Sequence, residues 1–157
     1  MTSTVFTAIA DGAARESRLW GDALLPPGER DGAPVFSRLV ADAEFALGVE
    51  TIYEGYLLHY GRPRLFAPPD ADTALLLGDY LYAHGLVRIA EAGTVDAVAD
   101  LAALISLCAQ LRAEEAPGDG AAWAASALFL GTGRLREPRA ALRDRGDRRV
   151  RTRACRG

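Results

Sequence analysis

The chain is predicted to be an all-α, antiparallel helical bundle, on three observations. Apolar residues recur every three or four positions over most of the length. No segment alternates with period two over a useful stretch, so strands are not expected. Gly- and Pro-rich breaks divide the periodic stretches into helix-length pieces joined by short loops, as antiparallel bundles require. Half of the 157 residues are apolar, enough to bury a core in a single domain.

The elements follow in order. Residues 5–25 carry Val5, Phe6, Ile9, Ala13, Leu19, Trp20, Leu24 and Leu25 at loosely helical spacing, which Gly12 weakens. Pro26-Pro27-Gly28 ends this stretch, and a polar loop leads to Pro34. Phe36, Leu39, Val40, Ala43, Ala46, Leu47, Val49 and Tyr53 predict a helix from Val35 to Leu58, interrupted by Gly48 and Gly55. Gly61-Arg62-Pro63-Arg64 and Pro68-Pro69 mark a loop, after which Asp70 or Asp72 can cap a helix. The segment Ala74–Ala92 is apolar nearly all round, which predicts a helix in the bundle interior. Gly78 and Gly85 lie seven apart on one of its faces. Each lowers helix propensity by about 1 kcal/mol relative to Ala, a cost that makes sense where a neighbouring helix passes close.

Gly93 and Thr94 form a stop and a cap for the next helix. Its residues Val95, Val98, Leu101, Ala102, Ile105 and Cys108 form one stripe, and Leu104, Leu107 and Leu111 a second, which suggests contact with two neighbours. A final apolar segment, Ala121–Leu130, ends at Gly131-Thr132-Gly133. The domain is therefore drawn over 1–133. Residues 134–157, an Arg-rich tail with no apolar period, are expected to be disordered.

Net charge is −3, but it is unevenly placed. Residues 134–157 carry ten arginines against Glu137, Asp144 and Asp147, so the tail is +7 and the body −10. The overall balance gives no bulk attraction to nucleic acid, and the tail lacks the interleaved aromatics of a base-stacking surface. No specific nucleic-acid partner is expected. Every basic residue is Arg, which suggests a GC-rich bacterial genome. The first residues lack the basic and apolar regions of a secretory signal. The apolar runs 101–111 and 121–130 fall short of the roughly 20 residues of a membrane span. The expected location is the cytoplasm. Cys108 reads as a buried thiol and Cys155 as an exposed one, not as a disulfide or a zinc pair.

Candidate chemistry is sparse. Glu50 and Glu54 are four apart and share a helix face. Such a pair can hold Mg²⁺ through oxygen ligands or form an ordinary solvated face. Asp79 lies within an apolar helix and either faces a polar cavity or orients a cationic or hydroxyl group, or else caps or bonds a neighbouring helix or lies at the bundle edge. His59 and His84 read as structural, and Arg62 and Arg64 as loop cations able to contact phosphate. Phosphate-binding glycine loops, the dinucleotide fingerprint, GxSxG and HExxH are absent from the sequence.

The segment Leu76-Leu-Gly-Asp-Tyr-Leu-Tyr-Ala83 resembles the Gly-Asp helix of trans-isoprenyl (polyprenyl) diphosphate synthases, an all-α family built around a deep cavity. Gly61-Arg62-Pro63 resembles that family's Gly-x-Pro element, seventeen positions before Gly78. In this register the acids of the family's first DDxxD motif fall on Glu50, Thr51 and Glu54, and its arginine pair on His59 and Tyr60. The resemblance covers about 35–115. It implies a vestigial metal or diphosphate site at Glu50, Glu54, Arg62 and Asp79, and assigns no catalytic residue and no metal. It is similar in character to the small, non-catalytic subunit of two-component heptaprenyl diphosphate synthases. That implies an accessory role beside a full-length synthase in quinone side-chain biosynthesis, with any Mg²⁺ supplied through the catalytic partner. Under this reading Leu81 and Leu104 are expected at the partner contact. Self-association, a degenerate Mg²⁺-dependent prenyltransferase and a helical interaction module unrelated to isoprenoids are the alternatives.

Overall fold

The computed structural model describes residues 4–30 and 32–154. Among them the chain is all-α. Its helices are α1 (Thr4–Glu16), α2 (Arg18–Asp22), α3 (Ala46–Tyr60), α4 (Ala71–Ala92), α5 (Val95–Ala113), α6 (Asp119–Phe129) and α7 (Arg136–Ala154). The only β-type pairing among the described residues is a single antiparallel bridge between Leu24 and Phe66.

Helix α1 buries Phe6, Ile9, Ala10 and Ala13, one face at three- and four-residue spacing. The stretch expected to be one helix breaks at Ser17, whose hydroxyl accepts from Leu19 N and starts α2. Helix α4 begins where its cap predicts: the Asp70 side chain accepts the Thr73 amide at 2.7 Å. It ends at Gly93. Helix α5 starts after Thr94, which serves as N-cap without a side-chain bond.

Three expectations are corrected. The helix predicted over Val35–Leu58 begins only at Ala46. The preceding segment folds back over α3 instead. Its Phe36 and Ser37 amides both donate to Glu50 Oε1, at 2.7 and 2.9 Å. The Phe36 ring packs edge-on to Tyr53 and stacks with Trp123. Asp42 then accepts from Glu44 N and opens a 3₁₀ turn, Ala43–Phe45, that runs into α3. Tertiary packing, not helix formation, uses these apolar residues.

The interior helix is α3, not α4. Helix α3 buries Val49, Ile52, Tyr56 and Leu58 together with Glu50, Thr51 and Glu54. Helix α4 buries Leu77, Leu81 and Ile89 but leaves Leu75, Leu76 and Val87 about half exposed. Leu81 and Leu104, expected at a partner contact, are both interior.

The Arg-rich segment is the third correction. It is helical from Arg136 to Ala154. Arg139, on its first turn, is tied to α5 through Asp96 and Asp100. Cys155, expected to be exposed, lies outside the described residues, and Cys108 is a buried free thiol.

The α3–α4 crossing places the core. A Cβ added at Gly55 would stand 2.9 Å from the Gly78 carbonyl oxygen, and one at Gly48 would stand 3.2 Å from that of Gly85. Four glycines, two per helix and seven apart on each, let the backbones meet. The helices run antiparallel, so Gly48 meets Gly85 and Gly55 meets Gly78. On one side of α3 lies a core of Val49, Ile52, Leu101, Leu104, Cys108 and Trp123. On the other, Phe6, Ile9 and Ala13 of α1 close over Leu58, Leu65, Phe66, Leu77 and Leu81. Complete burial of a side chain such as Ile9 or Leu77 contributes about 1.5–3 kcal/mol.

Candidate functional site

Glu50 and Glu54 project from one face of α3, as their spacing requires, but into the protein interior, where both are fully buried. The loop after α3 supplies their counter-charge. Arg64 Nη1 donates to Glu50 Oε2 at 3.0 Å, and Arg64 Nε donates to Glu54 Oε2 at 2.9 Å. The remaining oxygens take backbone amides. Glu50 Oε1 accepts from Phe36 and Ser37, while Glu54 Oε1 accepts from Arg64 at 2.7 Å and Leu65 at 2.8 Å. The guanidinium carbon lies 4.7 Å from the Phe6 ring centroid and 4.9 Å from that of Tyr53. Burying such charges carries a desolvation penalty, which the six hydrogen bonds and the cation–π contacts offset. Arg64 Nη2 is buried without a hydrogen bond.

This arrangement does not fit Mg²⁺. The ion takes octahedral oxygen ligands at about 2.0–2.1 Å and keeps several waters. Here each of the four carboxylate oxygens already receives an N–H, and a guanidinium bridges the pair. Among the described residues no group of three or more His, Cys, Asp or Glu is placed to hold a metal ion. What the cluster does is mechanical: it fastens the 34–37 segment, the 61–66 loop and, through Phe6, helix α1 to α3.

The other two residues of the sequence-derived site lie apart from this cluster. Asp79 is exposed on α4, with its Oδ1 3.2 Å from His59 Nε2. That nitrogen is buried and aligned for no hydrogen bond, so the pair is close without being well directed. Arg62 is exposed and lines a cleft of about 450 Å³ with Leu25, Leu58, Pro63 and Phe66.

Two further polar networks were not evident from the residues. Where α3, α5 and α6 converge, the Tyr56 hydroxyl donates to Asp119, and Arg112 Nη2 donates to Tyr56 Oη at 2.7 Å and also reaches Asp119. Burial pushes the Tyr56 phenol up to about 12, with its bond to Asp119 adding to the effect. The same bond, with Arg112, holds the Asp119 carboxyl below its usual range. The second network joins α5 to α7. Asp96 takes Arg136 and Arg139, and the buried Asp100 lies 3.1 Å from Arg139 Nη1 while its Oδ2 accepts the Gly131 amide at 3.0 Å. Burial raises the Asp100 pKa against these favourable partners. Beside this network a cleft of about 670 Å³ opens between α5 and α7, lined by Val95, Ala99, Ala103, Leu107 and Leu142. No described helix is long and apolar enough to cross a membrane.

Compared with protein-family models, with curated proteins and with solved structures, the chain matches none.

Proposed function

We propose that this chain is a non-catalytic helical subunit that acts by packing against a partner, and that the partner is a full-length prenyl diphosphate synthase. One observation carries the non-catalytic half of the reading. The two acids that align with a synthase's first metal-binding motif are consumed by Arg64 and four backbone amides. Ionising an allylic diphosphate needs its charge neutralised by metal ions and cations at an open site. A carboxylate pair closed over an arginine offers no such surface.

The choice of partner rests on the resemblance of residues 61–63 and 76–83. The outward face of α4 supports it. Leu75, Leu76 and Val87 remain about half exposed along the helix that carries the resemblance. An apolar stripe of this kind is suited to a second helix.

The test is co-purification of the tagged chain from its native host, with the eluate assayed for prenyl transfer from isopentenyl and farnesyl diphosphates. The expected result is a full-length synthase in the eluate, with activity that the isolated chain lacks. Leu76→Glu combined with Val87→Glu should remove the synthase while leaving the helical spectrum unchanged. A different co-purifying protein, lost with the same double variant, would instead identify a helical interaction module outside isoprenoid metabolism.

A further inference from the structure

An open cleft of about 490 Å³ lies between helix α1 and helix α4, with Leu47 of α3 in its wall, lined by Gly12, Arg15, Glu16, His84 and Arg88 among others. It shares no residue with the Glu50–Arg64–Glu54 cluster. Its two arginines, Arg15 and Arg88, form no ion pair with its two glutamates, Glu16 and Glu91. Arg88 is half-buried, yet among the described residues it has no carboxylate within ion-pair distance. Its one hydrogen bond to another side chain joins Nη2 to His84 Nε2 at 3.1 Å. Because Arg is always a donor, this bond requires His84 to accept through Nε2, which the neutral imidazole protonated on Nδ1 can do. Burial, with Arg88 beside it, holds the His84 pKa below its ordinary value.

An arginine that spends its bond on a neutral imidazole keeps most of its donors free. Arg15 lines the same cleft and also forms no ion pair among the described residues. Glu16 and Glu91 are exposed and do not close on either guanidinium. Behind His84, outside the cleft's own lining, the Tyr80 hydroxyl is buried with no hydrogen-bond partner. Tyr80 is itself held in a stack between Trp20, 5.7 Å away, and His84, 5.3 Å away. Gly12 completes the arrangement. A Cβ at this position would stand 3.0 Å from Arg88 Nη2, so glycine leaves the guanidinium its space against α1.

We propose that this α1–α4 cleft is a binding site for a small phosphate-bearing ligand, clamped between Arg88 and Arg15. Planar guanidinium forks match phosphate oxygens, and charge-assisted bonds of this type are the strong ones. A bound oxyanion neutralises Arg88, and the imidazole beside it then gains a proton more readily. His84 is therefore both a wall of the site and its reporter.

The experiment follows the His84 ring resonances of the full chain by NMR, with inorganic phosphate as probe and acetate as comparison. Phosphate is expected to shift them saturably, with a millimolar midpoint, and to raise the pH at which His84 titrates. Acetate should bind at least several-fold more weakly. Arg88→Met should weaken phosphate binding at least tenfold. Arg18→Met, on an exposed arginine paired with Asp22, should not change it. Gly12→Ala keeps every charge but crowds the guanidinium, and should weaken binding several-fold even if Arg88→Met unfolds. A linear, non-saturating drift overturns the proposal. So does equal binding by wild type and Gly12→Ala, or acetate binding as tight as phosphate.

Discussion

Arg64 grips Glu54 at both ends of its carboxylate, its own backbone amide reaching Oε1 at 2.7 Å and its Nε reaching Oε2 at 2.9 Å. The same guanidinium reaches Glu50 one helical turn earlier. Two buried like charges on one helix face are tolerable only with this cation between them.

Arg64→Met leaves both carboxylates buried without a counter-charge, and stability is expected to fall by about 3–5 kcal/mol. Arg62→Met, on an exposed side chain in the same loop, should stay within about 0.5 kcal/mol of wild type. Urea unfolding followed by circular dichroism measures both. Equal, small losses would mean that water or rearrangement satisfies the carboxylates. Glu50→Gln with Glu54→Gln orphans Arg64 in turn, so any effect of that double variant on partner activity must be read after its effect on folding.

The glycine crossing predicts an inversion of the usual rule. Ala in place of a helical Gly ordinarily stabilises by about 1 kcal/mol. At Gly55 the new methyl would meet the Gly78 carbonyl oxygen at 2.9 Å, and backbone cannot move aside cheaply. Gly55→Ala is expected to cost about 1–3 kcal/mol. Gly120, also helical but with nothing within 4 Å of its position, serves as the comparison. Gly120→Ala should be neutral or stabilising by up to about 1 kcal/mol. Thermal melts of the two variants should therefore move in opposite directions.

Alkaline pH should unfold the chain cooperatively. Burial raises the phenols of Tyr53, Tyr56, Tyr80 and Tyr82 above the ordinary value, Tyr56 to about 12. Between the unfolded and folded pKa values the unfolded state holds fewer protons, so stability falls as pH rises. For Tyr56 the loss begins near the ordinary value of 10.0 and levels off above about 12. Tyrosinate absorbance at 295 nm should rise together with loss of helix. A smooth rise at constant helicity would contradict the burial of these hydroxyls.

How far the sequence carried the reading depends on the range of the interaction. Asp70 and Gly93 bound α4 by local chemistry, and both ends are legible. So is the close approach at Gly78 and Gly85, since a glycine pair seven apart in an apolar helix has few other uses. The segment 35–45 misleads because Phe36, Leu39 and Val40 imitate a helical period while Phe36 serves a contact with Trp123 far along the chain. For α7 the opposite holds. It lacks an apolar stripe, but Arg, Ala, Leu and Glu are good helix formers, and propensity succeeds where periodicity is silent. The shared face of Glu50 and Glu54 was visible; its occupant was not. Arg64 is ten and fourteen residues away, in a loop. An acid pair at helical spacing inside an otherwise apolar run, with an arginine in the following loop, is the signal that could have suggested it.

The α5–α7 junction yields a last prediction, on which the domain boundary at 133 turns. Arg139 is the only cation within 4 Å of the buried Asp100 among the described residues. Arg139→Met leaves that carboxyl with the Gly131 amide alone, and is expected to cost about 1–3 kcal/mol at neutral pH. Burial already raises the Asp100 pKa, so the fold holds its proton more tightly than the unfolded chain does. The cost of losing Arg139 should then be small below the ordinary carboxyl value and appear as pH rises through the folded pKa. A chain ending at residue 133 should fold and show the same pH-dependent loss. One ending at Arg145 retains Arg139 and should match wild type. If the chain ending at 133 equals wild type at neutral pH, α7 does not support Asp100, and the boundary stands where composition alone put it.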